Sequence, residues 1–255
     1  MPTVLHLAPH PDDELLPAGG TLLRLRDAGW DVVNLACSLG RPAQRARRQE
    51  ELEEACARAG FGLRIAPSAR APMEAAALAG DIADAMDDLA PELLVGPSPH
   101  DEHPGHEAVG RATAATLAER PVRPRWWLWN LWGDATPPTL LVELDEDVVG
   151  RAAHALAAHE GELARNDYRA LLELRTAMHA ITGPERVLGF GSPSLHAARS
   201  EVFCELLTDT ATDWPLAAAR CLDPAAALDG AAASGLDAGV WLAAPSARTL
   251  LGAPA

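Results

Sequence analysis

The sequence predicts an α/β protein of Rossmann-like type, a mostly parallel doubly wound sheet with helices on both faces, and three observations carry that prediction. Short apolar runs alternate with amphipathic stretches, turn residues separate them at regular intervals, and two histidine-containing motifs each follow an apolar run. Such alternation implies parallel strands joined by right-handed crossovers, and ligands of such sheets gather at the carboxyl ends of the strands.

The elements follow in order. Residues 4–8 are an apolar strand ended by Pro9, and after Gly19-Gly20 an amphipathic helix runs over 21–28 to Gly29. Residues 31–37 read as a second buried strand, 43–59 as a helix with a charged face closed by Gly60, and 62–65 as a short third strand. Helical periodicity over 73–89 leads through Pro91 to the apolar run 93–96, and the next helix spans 104–119. A tryptophan-rich strand at 125–131 and another at 139–143 precede a helix over 148–159 capped by Asp145, a helical stretch over 162–181, and a last strand at 200–207. Residues 1–206 thus read as one domain. Residues 207–255, rich in alanine and interrupted by Pro215, Pro224 and Pro245, carry no constellation of ligands or nucleophiles and are expected to dock on it as a C-terminal extension.

Composition narrows the function. The 255 residues are 48% hydrophobic and 22% charged, as in soluble globular proteins, and the formal charge of −15 argues against nucleic acid or anionic membranes as partners. All 21 basic residues are arginine, so no lysine can form a Schiff base or serve a Walker phosphate loop. No G-x-S-x-G elbow is present either. Cys37, Cys56, Cys204 and Cys221 are too scattered for a thiolate zinc site and read as free thiols. Residues 1–3 lead straight into a strand without a basic or apolar signal region, which predicts a cytoplasmic protein. The oligomeric state is left open.

The chemistry resides in His10-Pro11-Asp12-Asp13 and His103-Pro104-Gly105-His106. A hydrolytic zinc usually takes three His or carboxylate ligands and leaves a position for water, whose pKa falls to roughly 7. His10 and Asp13 can converge from one tight turn, and His106 can complete the set if the strands before the two motifs are neighbours. Asp12 is the candidate general base, and His103, as an imidazolium, the candidate oxyanion stabiliser and general acid. The alternative assigns Asp12, Asp13 and Glu14 to capping the following helix, and the histidines to a plain proline turn.

These residues resemble the GlcNAc-phosphatidylinositol deacetylase-like family, also called PIG-L or LmbE-like. The opening His10-Pro11-Asp12-Asp13-Glu14 with Gly19-Gly20, and Asp101-Glu102-His103-Pro104-Gly105-His106, carry the resemblance, with weaker echoes at Arg48, Glu51 and Glu201-Val202-Phe203. It extends over roughly residues 3–206 and implies a Rossmann-like fold, zinc on His10, Asp13 and His106, and Asp12 as base. Fe2+ or Mn2+ could stand in for zinc. The family usually has an aspartate where this chain has Gly105; either Asp101 or Glu102 supplies the missing carboxylate beside His103, or the metal takes more of the oxyanion.

The family supplies the expected reaction, zinc-dependent deacetylation of an N-acyl amino sugar or glycoconjugate. Cleavage of a larger thiol or glycoconjugate amide by the same chemistry is an alternative, and a non-catalytic Rossmann-like binding protein is another. Candidate substrate contacts are Arg48, Asp101, Trp132 and Tyr168. Trp126, Trp127 and Trp129 read chiefly as core, and His154, His159, His179 and His196 as residues outside the site.

Overall fold

The computed structural model describes residues 1–135, 137–207 and 213–252. Nine α-helices and ten strands occur among them, in the order β1 (Thr3–Ala8), α1 (Gly19–Asp27), β2 (Asp31–Ala36), α2 (Arg45–Ala59), β3 (Gly62–Ile65), α3 (Ala75–Leu89), β4 (Leu93–Pro97), α4 (Pro104–Ala118) and β5 (Arg125–Trp129). The second half adds β6 (Leu140–Leu144), α5 (Glu146–Leu156), α6 (Glu160–Leu163), α7 (Tyr168–Gly183), β7 (Arg199–Leu206), β8 (Pro215–Ala217), β9 (Arg220–Cys221), β10 (Ala233–Asp237), α8 (Gly239–Ala243) and α9 (Ala247–Leu250). No helix among the described residues is long and apolar enough to cross a membrane.

Strands β3, β2, β1, β4 and β5 lie side by side and parallel, as expected of continuous apolar runs buried on both faces. β7 continues the sheet antiparallel to β5, and β6, β8, β9 and β10 extend it at that end. The strand order reverses between β1 and β4, which pair through Val4–Leu93, Leu5–Leu94 and His6–Val95. A crevice therefore opens above the carboxyl ends of these two strands, and both histidine motifs lie there.

The core is one large cluster. Trp126, Trp127 and Trp129 are wholly buried, and Trp129 donates its indole N–H to His6 Nε2 at 3.2 Å while the other ring nitrogen of His6 meets Asn34 Oδ1 at 2.8 Å.

Two expectations change. The single helix expected over 162–181 is broken into α6 and α7, because Asn166 and Asp167 draw the backbone into their own hydrogen bonds: Asn166 Oδ1 accepts the N–H of Asp167, and Asp167 caps α7 by accepting the N–H of Ala170. The strand at Arg199–Leu206 is not the last, since residues 215–250 add strands and two short helices against the sheet and α4. Residues 208–212 and 253–255 of the expected extension lie outside the described residues.

Candidate metal centre and its cavity

After β1 the chain makes a tight turn in which His10 O accepts the N–H of Asp13 at 3.2 Å, while Asp13 Oδ2 accepts the N–H of His10 at 2.9 Å. The side chain of Asp13 is thereby folded back to within 3.2 Å of His10 Nδ1. Asp12 lies at φ 109°, a region that L-residues other than glycine seldom occupy and that costs on the order of 1–3 kcal/mol. Its N–H is held by Glu14 Oε2 at 2.9 Å. None of the three acids caps α1. That helix begins six residues past Asp13, and its Gly20 and Thr21 N–H groups are accepted by Glu201 of β7 at 3.0 and 2.8 Å. The capping alternative therefore fails on geometry.

The second motif starts α4. His103 is the N-cap residue, and its Nδ1 accepts the N–H of Gly105 at 3.2 Å. His106, one turn in, is buried with Nδ1 2.5 Å from Asp101 Oδ2 and Nε2 3.3 Å from Asp13 Oδ2. The other oxygen of Asp101 accepts the N–H groups of Leu131 and Trp132. Asp101 is thus fully buried behind His106, where it fixes the ring, and neither contacts the cavity nor serves His103. The ring of His103 lies 4.5 Å from that of His106 and 4.9 Å from that of His10.

Gly105 has a steric explanation. A Cβ there would stand 2.8 Å from His10 Cε1, 2.9 Å from His10 Nε2 and 3.4 Å from Met73 Sδ. The imidazole of His10 occupies the room an aspartate would need.

Charge is unevenly distributed over the cluster. Burial works against the Asp13 carboxylate, but the charge of His106 and hydrogen bonds from His10 and His106 outweigh it and hold the group well below its ordinary range. Asp12 moves the opposite way, raised by burial and then by the charges of Asp13 and Glu14. Burial lowers the affinity of His106 for a proton, yet Asp13 and Asp101 reverse this and bring its pKa to about 10. His103 is drawn down to about 4 by burial and then by His106 and His10. This lowering runs against the expected imidazolium, and the Nδ1 of His103 is engaged by the Gly105 N–H.

Potential ligand atoms of His10, His103 and His106 lie within 4.8 Å of one another, and Asp13 touches two of these rings. Nitrogen and carboxylate donors of this kind suit a borderline divalent cation, with Asp101 as the outer support of His106. Beside the cluster opens a cavity of about 380 Å³ lined by Asp12, Arg48, Trp132 and Tyr168 among others. Arg48 is buried, donating from Nη2 to the carbonyl of Pro11 at 3.1 Å, with Glu162 at 3.6 Å. Trp132 is half-exposed at the mouth, its ring 6.4 Å from that of His103 and 6.5 Å from that of Tyr168. Arg41, Gln44, Leu131, Glu162 and Arg165 also line the cavity. Sequence reasoning missed Glu162 and Arg165, because they reach the site only through the break between α6 and α7.

Residues 5–117 match the family model described as PIG-L: GlcNAc-PI de-N-acetylase. Similar solved structures include the conserved protein TT1542 from Thermus thermophilus, at 25% identity over 80% of this chain and 94% of that one, with a TM-score of 0.61. The N,N'-diacetylchitobiose deacetylase from Pyrococcus horikoshii aligns at 18% identity over 80% and 83% of the two chains, TM-score 0.62. The zinc inhibited form of teicoplanin deacetylase Orf2 aligns at 18% over 81% and 98%, TM-score 0.61. At such identities the last two speak for the fold alone. No curated protein sequence matches the chain.

Proposed function

Because residues 5–117 carry a PIG-L-family domain, we propose that the protein is a zinc-dependent N-deacetylase of an acetylated amino sugar or glycoconjugate. The observation that carries this reading is the convergence of His10, Asp13, His106 and Asp12 on one cavity above the β1–β4 crevice. His10, Asp13 and His106 would hold the metal. His103 is left out of that set because its Nδ1 meets only the Gly105 N–H and no carboxylate among the described residues backs its ring, whereas His10 and His106 both meet Asp13. That deacetylases are among the proteins of similar fold supports the choice of reaction. Zinc when bound supplies a Lewis acid that polarises the amide carbonyl and acidifies water.

Asp12 acts as the general base, taking a proton from the attacking water on its carboxylate. His103 donates a hydrogen bond from Nε2 to the oxygen that becomes negative as the carbonyl turns tetrahedral. A neutral imidazole is a poor acid, so the proton that releases the amine comes back from Asp12. Trp132, Arg48 and Tyr168 shape the cavity wall against which the sugar lies.

The test is release of free amine from N-acetylglucosamine conjugates by wild type and Asp12→Asn, with and without a chelator. Activity is expected only in the metal-loaded wild type. Turnover that survives chelation and loss of Asp12 would reject the mechanism, while a metal-free protein that binds such conjugates unchanged would favour a non-catalytic binder.

A further inference from the structure

His159 lies outside both motifs and precedes α6, yet it is fully buried and its Nε2 is 2.5 Å from Glu14 Oε1. The other oxygen of Glu14, itself fully buried, accepts the N–H of Asp12. That N–H belongs to the residue held at φ 109°, a conformation that persists only when its surroundings over-determine it. The neighbouring peptide is held as well, since Arg48 Nη2 donates to the carbonyl of Pro11 and faces Glu162, one turn beyond His159. A frame thus runs from α6 through His159 and Glu14 to the strained backbone of Asp12.

We infer that His159 is a positioning residue for the deacetylation, acting through Glu14 to hold Asp12 in the conformation that turns its carboxylate into the cavity. The inference rests on Asp12 being the base. No other donor to Glu14 Oε1 occurs among the described side chains, so removal of His159 leaves a buried carboxylate half-satisfied and free to release the Asp12 N–H. Asp12 then relaxes toward ordinary φ values and its carboxylate leaves the line of attack. Displacement by about 1 Å costs on the order of a hundredfold in rate.

The experiment compares His159→Leu, which fills the space without a donor, with His159→Gln, which can still donate to Glu14. In His159→Leu, kcat for amine release is expected to fall roughly ten- to a hundredfold, with KM moving by no more than about twofold and zinc content unchanged. His159→Gln recovers most of the loss. Independently of turnover, amide exchange at Asp12 in the metal-free protein is faster in His159→Leu than in wild type.

A wild type without activity overturns the deacetylase reading itself, and a fully active Asp12→Asn overturns Asp12 as its base. With wild type active, unchanged kcat in His159→Leu, or unchanged protection of the Asp12 amide, overturns the inference alone.

Discussion

The contact between Gly105 and His10 makes one glycine a requirement of the metal site. Gly105→Asp is expected to lower metal affinity by about 10–100-fold, the range typical of disturbing a ligand's support, because the added side chain forces the His10 ring aside. Titration with zinc checks this; affinity equal to wild type would mean the ring moves freely. The ligand set is tested in the same way: His10→Ala, Asp13→Ala and His106→Ala should each lose bound zinc, whereas His103→Ala should keep zinc and lose about 10²–10³-fold in kcat, as for loss of an oxyanion donor. Zinc retained in the first three would refute the assignment. These residues were legible in the sequence because a motif four residues long already places its side chains. His159, Glu162 and Arg165 were not, since their approach depends on how α6 is turned against the β1 loop, and no local spacing encodes that.

Among the elements, α1 is capped from a distance. Glu201 on β7 accepts its first free N–H groups, and burial, opposed by those hydrogen bonds, moves Glu201 from the ordinary 4.5 up to about 7. Between these values the folded protein holds a proton that the unfolded chain has released. The contribution of Glu201 to stability is therefore complete below pH 4.5 and is lost as pH rises through 7, a change of about 3 kcal/mol. Urea denaturation of wild type and Glu201→Gln should show the wild-type advantage shrinking by that amount between about pH 4.5 and 8; a constant difference would rule it out. The sequence marked Glu201 only as a family echo, because its partner helix lies 180 residues away in the chain. Strands and helices were legible where apolar periodicity was strong, and the edges of most fell within one or two residues. The break at Asn166–Asp167 was obscured by helical periodicity on both sides.

For the molecule as a whole, residues 215–250 are woven into the rest. Arg220 of β9 makes two contacts, at 2.8 and 2.9 Å, with Glu205, a fully buried carboxylate on β7. The carbonyl of Trp241 meets His100 Nε2, and Ser246 donates to Glu107 in the turn after His106. A chain ending at Leu206 keeps Arg125 at 3.3 Å and Trp127 at 3.0 Å on Glu205 but loses both Arg220 bonds, and is expected to be destabilised by about 1–3 kcal/mol from that carboxylate; a cooperative urea transition at the wild-type midpoint would show 1–206 to be self-sufficient. The sequence could not foresee this, because short strands of alanine and proline have no periodicity of their own.

The distribution of tryptophans has an optical consequence. Trp126, Trp127 and Trp129 are sealed in the core, whereas Trp132 stands at the cavity mouth with 44% of its surface exposed, beside His103 and Tyr168. Indole emission shifts to longer wavelength in water, so Trp132, the most exposed tryptophan among the described residues, contributes to the red edge of the fluorescence together with the partly buried Trp214 and Trp241. An acrylamide titration reaches that indole before the sealed ones, and a molecule filling the cavity shields it. Occupancy can thus be followed by light even in variants, such as Asp12→Asn, that turn nothing over.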